Sequence, residues 1–266
     1  MRIVAIANRK GGVGKSTVSV HIATGLATKG HNVLLVDTDP QGHAGYSLGI
    51  APQPGLFSLL VDKKDFQDVL RPVPAQAYSV PDHPSKGRLF VLPSDEKTGV
   101  IPLLEKNPFA FLSRLDEVQK AFDYVIIDTA PTTTMFDGAV YMAARAFVYV
   151  TECEALSFDG LKRGLDQIRE FEGRRADYNL PPNRILGIVP NKFRAKTENH
   201  ERNLQYVRDA FGGMVWDAIP LRTVFSEATN FKQAVFAYAP TSYEAGIMWA
   251  LVDRFEKEIM AWENAK

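Results

Sequence analysis

Residues 8–17 read Asn8-Arg9-Lys10-Gly11-Gly12-Val13-Gly14-Lys15-Ser16-Thr17, and their surroundings decide the fold. Ahead of them, residues 2–7 (Arg-Ile-Val-Ala-Ile-Ala) form a short apolar, β-branched run suited to a buried parallel strand. Behind them, Val18, Ile22 and Leu26 recur at i, i+4 and i+8, one face of a helix over residues 16–29. Strand, glycine loop and helix in that order make a phosphate-binding unit. Glycines let backbone N–H groups curl around phosphate oxygens, and the helix adds its N-terminal partial positive charge. Lys15 brings a compact charge to the β- and γ-phosphates, and the Ser16 hydroxyl can ligate Mg²⁺. Gly11, Gly12, Val13, Gly14, Lys15, Ser16 and Thr17 are therefore the candidate nucleotide-binding residues. The usual first glycine of such a loop, five places before Gly14, is replaced by Arg9, and a second lysine, Lys10, stands at the loop's front.

Further apolar runs follow at Asn32–Val36, Leu89–Leu92, Tyr124–Ile127, Ala146–Val150 and Ile185–Val189. Helical patterns fall at residues 16–29, 107–121, 157–172, 198–211 and 243–262. This alternation predicts an α/β fold: a doubly wound, mostly parallel sheet with helices on both faces. Residues 1–266 read as one such domain, with an irregular insertion around 50–87 marked by Pro52, Pro54, Pro72, Pro74, Pro81 and Pro84. In sheets of this kind ligands bind at the carboxyl ends of the strands. Polar clusters stand there: Asp37-Thr38-Asp39-Pro40-Gln41-Gly42, Asp128-Thr129-Ala130-Pro131 and Pro190-Asn191-Lys192. Asp128, at a strand tip beside the loop, is placed to hold Mg²⁺ through water, and Asp39 is a candidate for polarising an attacking water.

Composition narrows the class. No apolar run reaches the length of about 18 residues needed for a membrane span. Residues 2–7 read as a strand and not as part of a signal peptide. The single cysteine, Cys153, rules out a disulfide framework and predicts a reducing, cytoplasmic setting. His21, His31, His43, His83 and His200 show no metal-ligand spacing. Net charge is zero, but Lys162 to Arg208 holds eleven basic and six acidic residues.

Lys10 to Thr17, the Asp37 to Gly42 turn and Asp123-Tyr124-Val125-Ile126-Ile127-Asp128 together resemble the ParA/MinD family of deviant Walker A P-loop ATPases. Ile219-Pro220-Leu221-Arg222-Thr223-Val224-Phe225-Ser226-Glu227-Ala228 resembles that family's late element and, with the Asp-Pro-Gln turn, favours the ParA partition branch. The resemblance implies ATP and Mg²⁺ as ligands, with Ser16, Asp39 and Asp128 at the metal. It implies that Lys10 reaches the phosphates of a second copy's ATP in a sandwich homodimer. Lys15 and Asp39 would act in hydrolysis, Asp128 would be the Walker B residue, and Asn191 and Pro220 would lie near the adenine. It also implies a nucleoid-associated protein whose ATP dimer binds non-specific DNA and positions a cargo (plasmid, chromosome or protein body). A ParB-like or other cargo-adaptor partner would stimulate its slow hydrolysis. The chain departs from the family pattern at Thr129-Ala130-Pro131, where two prolines are common, and at Leu221, where a basic residue is common.

The basic excess then has a use, because non-specific DNA binding is mostly phosphate neutralisation and a dimer doubles the contacts. Lys192, Arg194, Lys196, Arg222 and Lys232 are the candidate DNA residues. A MinD-like membrane-cycling ATPase is the alternative and needs a basic amphipathic C-terminal helix. Met248, Leu251, Val252, Phe255, Ile259 and Trp262 do form a stripe, but residues 253–266 carry four acidic against three basic side chains, so a membrane partner is not expected. A small-molecule ligase or metal-cluster carrier on the same scaffold would need an acceptor site or metal ligands.

Overall fold

Alternate residues of each central strand enter two different cores, which is why these strands read as unbroken apolar runs. Val4 and Ile6, Val33 and Leu35, Tyr124 and Ile126, and Val148 and Val150 face one layer. Ile3 and Ala5, Leu34 and Val36, Val125 and Ile127, and Phe147 and Tyr149 face the other. The computed structural model describes residues 1–81, 85–131, 135–154, 164–166, 170 and 173–265.

The sheet has seven strands: β1 (Arg2–Ala7), β2 (Asn32–Asp37), β3 (Arg71–Pro72), β4 (Arg88–Leu92), β5 (Tyr124–Asp128), β6 (Ala146–Glu152) and β7 (Arg184–Asn191), in the order β3-β4-β2-β5-β1-β6-β7. All pairings are parallel except β3 with β4. The predicted doubly wound α/β fold, a P-loop NTPase architecture, is therefore the observed one, and the six predicted strands are all present. The chain leaves β1 toward β2 on one side and passes from β5 to β6 on the other. The crevice this creates opens at the carboxyl ends of β1, β2 and β5.

Among the helices, α1 (Lys15–Lys29), α2 (His43–Tyr46), α3 (Ala110–Glu117), α4 (Met135–Ala143), α5 (Glu198–Phe211), α6 (Val224–Asn230), α7 (Val235–Tyr238) and α8 (Tyr243–Asn264) carry the argument below. Helices α1 and α8 cover the first core, and α3 and α4 cover the second. Helix α1 ends at Gly30, whose φ of 116° lets its N–H turn back onto the Ala27 and Leu26 carbonyls. Where α1 crosses α8, a Cβ on Gly25 would lie 2.4 Å from a Val252 methyl, so glycine sets the closeness of that crossing.

The C-terminal stripe is buried in this first core at Met248, Leu251, Val252, Phe255 and Ile259. It packs on the protein's own sheet and helices, as its charge balance predicts. No described helix is long and apolar enough to cross a membrane.

Three expectations need amendment. The irregular region contributes Leu56, Leu59, Leu60, Phe66 and Val69 to the second core, so its short helices Gly55–Leu60 and Phe66–Val69 are built into the fold. It also supplies β3, an edge strand missed because Pro72 cannot donate to a ladder and so reads as a loop. The helix predicted over 107–121 is shorter, Ala110–Glu117, and gives way to a turn over 118–121. Of the helix predicted over 157–172, residues 164–166 and 170 are helical and the rest lies outside the described residues.

Candidate active site

The loop between β1 and α1 turns on two glycines in left-handed conformations, Gly12 at φ 76° and Gly14 at φ 95°. Hydrogen bonds from outside hold it. The Asn8 amide donates to the Val150 carbonyl at 2.7 Å, and its oxygen accepts the Lys10 backbone N–H at 2.8 Å. On the other side the Asn191 amide donates to the Val13 carbonyl at 2.7 Å. A Cβ on Gly14 would lie 2.0 Å from that amide nitrogen, so glycine is required here by both conformation and space. Lys15 is almost fully buried, and its ammonium donates to the Lys10 carbonyl at 3.3 Å. Ser16 and Thr17 open α1 and line a cleft of about 540 Å³ with Gly12, Gly14, Lys15, Asp39, Gln41, His43, Tyr46, Ser47, Pro131, Lys192 and Thr229.

The strand tips supply the acids. Asp37 and Asp128 face each other in the parallel register of β2 and β5, and both are fully buried. Asp37 accepts the backbone N–H groups of Asp39 at 3.0 Å, Ala44 at 2.9 Å and Gly45 at 3.2 Å. It thus holds the entire turn that carries Asp39, including the start of α2. Thr38 fastens the same turn to β5 by donating its hydroxyl to the Asp128 carbonyl at 2.8 Å. Asp39 itself is half-buried at the cleft, where its carboxylate accepts the Gln41 N–H at 3.0 Å. Asp128 accepts the Ser19 hydroxyl at 2.8 Å through one oxygen, while its buried Oδ2 has no protein hydrogen-bond partner. Burial pushes both carboxyls up from the usual range, and for Asp37 the charge of Asp128 adds to the effect.

An unpartnered buried carboxylate oxygen near a serine hydroxyl fits a hard, oxygen-loving divalent cation. Among the described residues no group of three or more acidic, histidine or cysteine side chains could cage a metal. That too fits Mg²⁺, which is held through one or two carboxylates plus phosphate oxygens and water.

Other predicted residues are distributed differently. Lys10 lies at the cleft's edge, its ammonium 2.6 Å from Glu152 and 3.0 Å from Glu154. Lys192 lines the cleft and pairs with the same Glu152 at 3.3 Å. Lys232 is half-buried, its ammonium 2.9 Å from the centre of the Tyr46 ring. These two lysines therefore face the cleft region, whereas Arg194, Lys196 and Arg222 are exposed. Arg222 pairs with Glu244 at 3.2 Å. Asn191 sits behind the phosphate loop and not on the cleft wall, and Pro220 lines a separate groove with Phe193, Trp216 and Arg222.

The sequence reading missed Glu152, although it ends β6 as Asp37 and Asp128 end their strands, and that position was its signal. Asp37 was named without a role, because its partners are backbone groups up to eight residues away. Beside Glu152, Cys153 is buried, which pushes its thiol up to about 11 and leaves it unreactive.

Comparison with known proteins adds the identity. Residues 1–180 match the AAA domain family. The chain is 30% identical to the chromosome-partitioning ATPase Soj of Thermus thermophilus, over 91% of this chain and 90% of that protein. Among solved structures it is similar to an ATP complex of Cyanothece McdA, with a TM-score of 0.76 and 19% identity over 96% of this chain and 95% of that one. It is also similar to cobyrinic acid a,c-diamide synthase of Mycobacterium smegmatis with bound ATP analogue and magnesium, with a TM-score of 0.69 and 24% identity over 91% and 96%. The two structural likenesses support the fold, and the Soj match extends nearly from end to end of both chains. A loop with an added lysine, two buried aspartates at adjoining strand tips and that full-length similarity lead to one conclusion: this chain is an ATPase of the Soj/ParA partition family.

Proposed function

We propose that the chain hydrolyses ATP slowly as a sandwich homodimer, binds non-specific DNA in that state, and so positions a cargo on the nucleoid until a ParB-like or other adaptor triggers release. The observation that carries this reading is the position of Lys10. It sits at the open edge of the cleft with about a third of its side chain exposed (36%), while Lys15 already serves the interior. A second lysine aimed at the rim has no evident task within its own site. It is placed to reach phosphates presented by another copy.

The hydrolytic chemistry follows from the fixed wall. Lys15 and the loop N–H groups would take the charge that develops on the transferring phosphoryl group. Asp39, on a turn braced by Asp37, would orient and polarise the attacking water. Ser16 and the free oxygen of Asp128 would hold Mg²⁺, which supplies charge neutralisation at the β- and γ-phosphates. Asn191 would serve the nucleotide indirectly, by keeping the loop closed, and Pro220 would approach the base only from the neighbouring groove.

For DNA, Arg194, Lys196 and Arg222 are the exposed set, and pairing two chains presents it twice. Binding of a fluorescent duplex by the ATP-loaded protein should fall steeply with salt. The R194E variant should weaken it without regard to sequence, and pairing of the two chains should lower the salt slope by about 2 per dimer, roughly one per lost contact. Binding that needs no ATP and ignores salt would refute this reading, as would strong ATP-dependent binding to anionic liposomes with none to DNA.

A further inference from the structure

Lys10 is engaged inside its own chain by a carboxylate that is itself shared. Glu152 is the last residue of β6 and stands opposite Asn191 in the register with β7. Its Oε2 is 2.6 Å from the Lys10 ammonium, and its Oε1 is 3.3 Å from that of Lys192. The Glu152 side chain is only 14% exposed, whereas Glu154, the second partner of Lys10, is 56% exposed. One largely buried carboxylate therefore joins the phosphate loop, the tip of β6 and the turn after β7. Burial works to raise the Glu152 carboxyl, but the two lysines outweigh it and hold it below its usual range.

We propose that Glu152 is a positioning residue for Lys10. It keeps the lysine on its own chain at the rim of the cleft and releases it to the phosphates of an ATP held by a second copy. This rests on the sandwich-dimer reading. The exchange is physically reasonable on both sides. A polyphosphate carries more charge than a single carboxylate and competes for the ammonium. After Lys10 departs, Glu152 keeps Lys192 as counter-ion, so no buried charge is orphaned. Until a nucleotide arrives, Lys10 has no charge-driven reason to cross to another chain. Glu152 thus sets the ATP concentration at which copies begin to pair.

The test is sedimentation velocity at fixed protein concentration with titrated ATP and Mg²⁺, using wild type, E152Q, E152D and K10A. Gln keeps the size of Glu152 and removes its charge. E152Q should reach half-dimerisation at an ATP concentration lower by about threefold to tenfold, the range a partly buried ion pair spans. E152D, which restores the charge, should return toward wild type, a recovery that a merely structural role for the side chain would not produce. E152A keeps the test available if E152Q melts early, and its shift should have the same sign. A folded E152Q or E152A that needs as much ATP as wild type, or more, overturns the proposal while leaving the dimer reading intact if wild type pairs and K10A does not. Wild type that stays monomeric at every ATP concentration removes the dimer reading and this proposal with it.

Discussion

The two walls of the cleft are built from different interactions. The wall made by the phosphate loop, β2 and β5 is fixed by buried hydrogen bonds to backbone groups: Asp37 to the turn that follows it, Thr38 to the Asp128 carbonyl, and Asn191 to Val13. The wall made by the ends of β6 and β7 and the start of α6 is fixed by long charged side chains: Lys10 and Lys192 on Glu152, Arg222 on Glu244, and Lys232 on the Tyr46 ring. Buried neutral bonds have one geometry and are costly to break. Pairs of long, partly exposed side chains exchange partners at little cost. The first wall suits chemistry, which needs preorganised groups, and the second suits association, which needs contacts that can be traded.

The largest effect that would sharpen this contrast is catalytic. D39A should keep ATP binding and lose turnover by about 10²–10⁴-fold, the usual contribution of a positioned acid or base. Steady-state phosphate release beside nucleotide titration checks it, and undiminished turnover would remove Asp39 from the mechanism. D37A, on the same wall, should cost about 3–4 kcal/mol of stability because buried N–H groups lose their acceptor. It should also lower kcat more than it raises KM, since the turn bearing Asp39 loosens. Urea unfolding with steady-state kinetics measures both. A D37A protein as stable and active as wild type would mean the turn holds itself.

His21 extends the fixed wall into the body of the fold. Its Nδ1 lies 2.7 Å from the Thr17 carbonyl, and its Nε2 accepts the Val235 N–H at 3.1 Å, so the ring is neutral and joins α1 to α7. Burial lowers its pKa to about 4. A depressed histidine contributes its full stability above the unfolded value of about 6.5 and loses it as pH falls toward the folded value, about 2.5 kcal/mol of it by about pH 4.5. The drop in urea midpoint between neutral and acidic pH should therefore be smaller in H21Q than in wild type, and equal drops would deny the neutral bridge. The smallest effect belongs to the other wall's outer rim. R194E should change stability by less than about 0.5 kcal/mol, as exposed substitutions do. A large loss would show that Arg194 is structural and not available to DNA.

The contrast also explains what could be read from the chain. The phosphate loop, the six parallel strands and the acids at their tips depend on local pattern: alternation, glycine placement and a polar residue directly after an apolar run. Lys10, Lys15, Asp39 and Asp128 were legible for that reason. The second wall was not, because its partners are far apart in sequence. Glu152 meets Lys10 across 142 residues, and Lys232 meets Tyr46 by way of a turn at φ 59°. Charge counting grouped Lys192 and Lys232 with Arg194 and Lys196, and only the fold separates those that face the cleft from those that face solvent.

The account's central claim is that ATP joins two copies through Lys10. Sedimentation velocity of wild type and K10A with saturating ATP and Mg²⁺ tests it most directly. Wild type should shift from monomer to dimer, and K10A should bind nucleotide and remain a monomer. K10A that pairs as fully as wild type would contradict the account.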